Sequence, residues 1–134
     1  MLRLRVVSSK NDIDDLDRNE QIIHLSFKAS NNDIFRLLLN CPKINAIQFP
    51  TSYRKGLSRA GEMFLAMQGI ELIEGDVFGD RKDVQGYYNI NDEVFNRVEQ
   101  LSATGLGSNE IAGTVSREAK LPLGLVEYVI KHSS

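Results

Sequence analysis

The sequence predicts an α/β fold: a mostly parallel four-stranded sheet made of βα repeats, followed by a C-terminal module of three helices. Three observations carry this reading. Short β-branched, apolar segments alternate with helical stretches through the first ninety residues. The strand segments begin 20, 24 and 24 residues apart, which leaves room for crossover helices between parallel neighbours. After Ile90 the alternation stops and only helical periodicity remains. Residues 1–90 therefore read as a platform and residues 91–134 as a helical module. The connector lacks the composition of a disordered linker, so the two are expected to pack as one body.

The elements follow in order. Leu2–Val7, Ile22–Phe27, Ala46–Phe49 and Ile70–Ile73 are the strand segments, each bounded by polar, Pro or Gly residues. Ser9 is placed to cap a short turn holding Ile13 and Leu16, with Asp12 as its capping-box partner. Ser30-Asn31-Asn32-Asp33 opens a helix through Ile34, Leu37, Leu38 and Cys41. One long helix is expected after Pro50, with Leu57, Gly61, Phe64 and Met67 on one face and Gly69 at its end. Tyr87–Ile90 reads as a connector or an added edge strand. Asn91 and Ser108 are placed to cap the first two helices of the tail. Gly105 and Gly107 separate them, and Pro122 precedes the third.

Composition bounds the function. With 134 residues, 42% hydrophobic and 25% charged, the chain fits one core with a small appendage. A net charge of −2 supplies no general attraction to nucleic acid or anionic membrane. Cys41 is the sole cysteine, so an internal disulfide and a multi-cysteine metal site are excluded. Its setting, LLLNCP, predicts a buried thiol. No apolar run approaches the roughly 20 residues of a membrane span. MLRLRVVSS lacks the unbroken apolar core of a signal peptide, so a cytoplasmic protein without a membrane partner is expected. No cofactor is expected: GxxxxGK[ST] is absent, and Gly105-Leu106-Gly107 follows a helix instead of a strand.

The strands alternate in polarity, where strands covered on both faces should be apolar throughout. Leu2, Leu4 and Val6 oppose Arg3 and Arg5; Ile23, Leu25 and Phe27 oppose His24, Ser26 and Lys28; Ile47 and Phe49 oppose Gln48; Ile70 and Leu72 oppose Glu71. This predicts helices mainly on one face and a wet second face. Arg3, Arg5, His24, Ser26, Gln48 and Glu71 would form a ligand- or partner-binding surface there. The strand spacing and the run LLLNCPKINAIQF resemble a leucine-rich repeat, whose strands line an exposed face. A flavodoxin-like open sheet is the alternative.

RVVSSK, CPKINAIQFPTSY and MQGIELIEGDVFGDRKD resemble segments of an archaeal (methanogen) family, domain-of-unknown-function family 1699. The likeness covers most of the first ninety residues. It implies an archaeal cytoplasmic origin and transfers no catalytic residue.

In the tail, Val115, Ala119, Leu121, Val126 and Val129 have the offsets of a helix-turn-helix, with Lys120 where the turn usually has glycine. Lys120, Gly124, Glu127, Tyr128 and Lys131 are then the candidate nucleic-acid contacts. The charge is poor for this role. Residues 91–134 hold four Lys/Arg against six Asp/Glu, a net −2. A second candidate is an anion site in PTSYRKGLSRAG, using Thr51, Ser52, Arg54, Lys55 and Arg59. A solvated helix face explains the same residues. Glu74, Asp76, Asp80 and Asp83 lie past the fourth strand but read as a charged turn, and so do Asp12, Asp14, Asp15 and Asp17. His24 and Ser26 share a strand face, yet neither sits in a nucleophile elbow. The expectation is a non-enzymatic regulator that binds DNA as a homodimer, or else a protein- or ligand-binding module using the wet sheet face.

Overall fold

The computed structural model describes residues 2–76 and 86–132. Its centre is a five-stranded mixed sheet of β1 (Leu2–Val7), β2 (Ile22–Leu25), β3 (Ala46–Phe49), β4 (Glu71–Glu74) and β5 (Tyr87–Ile90), in the order β4-β3-β2-β1-β5. The first four strands are parallel and adjacent in chain order. β5 runs antiparallel along the free edge of β1, so the sheet is not the four-stranded one expected. Tyr87–Ile90 is the added edge strand.

Stepping one strand over in the same direction each time puts right-handed crossovers on a single face. The packing agrees. A 3₁₀ turn (Lys10–Asp15), α1 (Asn31–Asn40) and α3 (Arg59–Met67) bury Ile13, Ile34, Leu37 and Leu65 against Ile23, Leu25, Ile47 and Phe49. Ser30 and Asp33 form a reciprocal capping box at the start of α1, with bonds of 3.0 and 3.1 Å. Cys41 is buried in this core. Burial raises its thiol to about 11, assisted by the negative charges of Glu20 and Asp17.

Four local expectations are corrected. Ser9 precedes the 3₁₀ turn but its side chain makes no cap bond. Asn91 likewise precedes its helix without a side-chain cap bond, and Ser108 is the first residue of the next helix, with Gly107 in the cap position. The long helix after Pro50 is instead two: α2 (Thr51–Arg54) stops at Lys55-Gly56, and Ser58 caps α3 by accepting from the Gly61 amide at 3.0 Å. A serine three residues before a free amide offered the chain a new helix start, and that local bond won over continuous periodicity.

The larger correction concerns the second face. It is covered by α4 (Asp92–Ala103), α5 (Ser108–Ala119) and α6 (Leu123–His132). Val98, Leu101, Ile111, Val115, Leu125, Val126 and Val129 pack on Leu4, Ile22, Ala46, Ile73, Tyr88 and Ile90. The helices of the platform do share one face, but the tail covers the other. The alternating strands are thus compatible with a sheet sandwiched between two helical layers.

Candidate functional site

Register decides which polar side chains meet. Arg5 pairs with Ile23, while Val6 pairs with His24, His24 with Gln48 and Gln48 with Ile73. Side chains in one such row point to the same face. Arg3 and Arg5 therefore lie on the face of α1 and α3, and His24, Gln48 and Glu71 lie on the face of the tail. The single wet surface joining Arg3, Arg5, His24, Ser26, Gln48 and Glu71 does not exist. Ser26 is turned to the Val7 carbonyl, to which its hydroxyl donates at 3.3 Å.

What remains of that surface is a corner. The Arg3 guanidinium sits 3.8 Å above the Tyr87 ring, and the Tyr87 hydroxyl donates to Glu20 at 2.5 Å. Desolvation and the Glu20 carboxylate, as acceptor and as a charge, hold the Tyr87 hydroxyl above its usual range against the opposing pull of Arg3 and Arg5.

His24 and Gln48 form the most unusual feature of the core. They are 1% and 0% exposed, side by side on adjacent strands. Gln48 Nε2 donates to the Gly75 carbonyl at 3.2 Å, while Gln48 Oε1 and His24 Nδ1 have no partner among the described residues. Desolvation lowers the imidazole pKa to about 4, with Asp76 pulling weakly the other way, so His24 is neutral at pH 7.

Past the C-terminal ends of β3 and β4 lies a cleft of about 520 Å³. Thr51, Glu74, Gly75, Asp76, Ser116 and the Leu121–Gly124 segment line it. The tail closes in tightly here. A Cβ on Gly75 would lie 2.3 Å from Pro122 Cβ, so only glycine permits this approach. Gly124 likewise sits against the Glu74 backbone, where a Cβ would meet the carbonyl oxygen at 3.0 Å. Gly75, Ser116 and Pro122 carry no site signal along the chain. Their signal is spatial, since they come from three distant segments. Glu74 and Asp76 do line the cleft, whereas Asp80 and Asp83 lie outside the described residues. No group of three or more potential metal ligands occurs among the described residues.

The other candidates are only partly assembled. Arg54 is drawn onto Glu62 at 2.6 Å, and the break after α2 leaves Thr51, Ser52 and Lys55 on a different element from Arg59. The expected anion site therefore does not share one helix. In the tail, Lys120 and Glu127 are exposed, but Tyr128 is buried with its ring 4.3 Å from that of His132. Lys131 and His132 reach Glu71 at 3.3 and 2.8 Å. Desolvation favours the neutral form of that carboxyl, but the bonds and charges of His132 and Lys131 together hold it below its usual range. Asp14 pairs with Arg36 at 3.1 Å, and Asp17 accepts from the Asn19 amide at 2.7 Å.

No helix among the described residues is long and apolar enough to cross a membrane. Comparison with curated proteins and with solved structures returned no match. The family model described as the N-terminal domain of a family of unknown function, DUF1699, matches residues 3–86, more than half of the chain and ending just before β5. The chain belongs to the DUF1699 family.

Proposed function

We propose that the protein is a non-enzymatic module that binds a small polar ligand in the cleft at the C-terminal ends of β3 and β4. Open α/β sheets present ligand sites at that edge of their parallel strands. The observation that carries the reading is Gln48, buried and bonded to the Gly75 carbonyl of the cleft wall, whose Oε1 has no partner among the described residues, with His24 beside it on the neighbouring strand. An unsatisfied buried polar atom costs about 1–3 kcal/mol, a cost that water held by the ligand and reaching Gln48 past Gly75 would reduce. Glu74 and Asp76 favour a ligand with cationic or hydrogen-donating groups, and the Thr51 and Ser116 hydroxyls add neutral contacts. Ser26 is occupied by a backbone carbonyl, so His24 has no serine nucleophile to activate.

Native mass spectrometry of the protein isolated from its own cells tests this. A retained small-molecule mass that disappears in Thr51→Trp, which fills an exposed rim position, is the expected result. A bare chain, or an adduct indifferent to Thr51→Trp, would count against the cleft.

One observation favours a second reading, a DNA-binding regulator. Lys120 adopts the left-handed conformation (φ 56°, ψ 45°) between α5 and α6. The Leu121 amide donates to the Ser116 carbonyl at 3.2 Å, and the Ser116 hydroxyl donates to the Leu121 carbonyl at 2.7 Å. A sharp, fixed turn of this kind suits a helix-turn-helix. Lys120 and Glu127 would face the duplex, while Gly124, Tyr128 and Lys131 are engaged with the sheet and its edge. A salt titration with mixed-sequence duplex DNA decides. Binding at low salt with a slope that falls on Lys120→Ala supports it, and no binding at low salt removes it.

A further inference from the structure

The outer surface of α1 and α3 is unusually apolar. Phe35 and Leu39, one turn apart on α1, are 52% and 65% exposed; Met63 and Met67, one turn apart on α3, are 57% and 80% exposed. Residues four apart on a helix share a face, so each pair forms a stripe. The Phe35 and Phe64 rings, 5.9 Å apart, join the two stripes across the seam between the helices. Beside them a groove of about 250 Å³ is lined by Ile34, Phe35, Ala60, Gly61 and Phe64, with Asn31 and Asn32 at one end and no charged residue on its wall.

We propose that this α1/α3 face is the interface of a two-fold homodimer, occupied by the same face of a second copy. Two arguments choose that occupant. The first is area. At about 200 Å² for a large, fully exposed side chain, the four fractional exposures leave roughly 500 Å² of apolar surface on each copy. A symmetric pair buries roughly 1,000 Å² from these side chains alone, the entry size for a specific protein interface. The second is shape. An isologous contact needs a knob and a hole on the same surface. Met67, the most exposed of the four, is the knob, and the neighbouring groove is the hole. Methionine is unbranched and flexible enough to fill it. The chain's net charge of −2 opposes self-association little.

This inference is independent of the cleft, which lies at the C-terminal ends of the strands and draws on the tail. Sedimentation velocity of the full chain over a concentration series provides the test. The wild type is expected to show a monomer–dimer equilibrium. Leu39→Glu and Met67→Glu should each raise its dissociation constant by roughly tenfold or more, and together by roughly a hundredfold or more. Both positions are largely exposed, so far-UV circular dichroism of each variant should match the wild type. Leu106→Glu, an exposed apolar position in the tail, should leave the equilibrium unchanged. A wild type that stays monomeric at its highest soluble concentration would overturn the proposal. So would a dimer unaffected by Leu39→Glu and Met67→Glu.

Discussion

The two faces of the sheet are built differently. Beneath α1, α3 and the 3₁₀ turn, the strands contribute Ile23, Leu25, Ile47 and Phe49, an apolar layer. Beneath α4–α6, the corresponding central positions are His24 and Gln48, polar side chains flanked by Val6 and Ile73. The first face is assembled by crossovers close in sequence. The second waits for a tail that follows the last strand. The polar pair therefore lies in the layer closed last along the chain, where Gln48 bonds the Gly75 carbonyl at the strand ends.

The largest expected effect comes from removing the tail. Truncation before Asn91 strips the cover from Leu4, Ile22, Ala46 and Ile73. The remaining platform should aggregate or lose its cooperative transition, as read by circular dichroism and light scattering. A soluble, cooperatively folding platform would show that the second face does not need its cover. Next, Leu125→Ala on α6 should destabilise by about 2–5 kcal/mol in urea titrations, because this side chain is fully buried in the tail-covered core. Leu37→Ala on α1 should cost a similar amount. A large asymmetry between the two would show which face carries more of the fold.

His24 gives a pH dependence that only the polar face can produce. Its folded pKa, about 4, lies below the ordinary value of 6.5. The unfolded chain therefore binds the proton more readily. The stability contribution is complete above pH 6.5 and is lost as the pH falls through 4. At 1.36 kcal/mol per pKa unit this amounts to about 3 kcal/mol. Urea titrations at pH 7 and pH 4 should show the loss, and His24→Leu should remove that part of it. The smallest effect is at the turn between α5 and α6. Lys120→Gly should stabilise by about 0.5–1 kcal/mol, since the left-handed backbone is strained for lysine and free for glycine. A destabilised variant would mean that the lysine side chain contributes more than its backbone costs.

Much of the local structure was legible in the chain. The segments Leu2–Val7 and Ala46–Phe49 form strands with those bounds, and Ile70–Ile73 is displaced by one residue. Ser30 opens α1, and Gly69 follows α3 with a positive φ of 73°. These signals are local: alternation, hydrogen-bonding caps and backbone preference act within a few residues. The expected wet face does not form, because alternation separates two sides of each strand without saying which sides of different strands coincide. The pairing of Arg5 with Ile23 puts the charged row of β1 on the apolar side of β2, and a shift of one residue would have reversed it. The cleft was only half visible. Glu74 and Asp76 stood out as acidic residues past a strand, but Ser116 and Pro122 join them only through the docking of the tail.

The sequence by itself determined the strands, most helix starts, the apolar stripes and the buried thiol, because each depends on neighbours along the chain. Register, the second covering layer and the burial of His24 and Gln48 were decided by the tertiary structure. They depend on how segments far apart in sequence exclude water together, and that free energy belongs to the assembled core instead of any single stretch of residues.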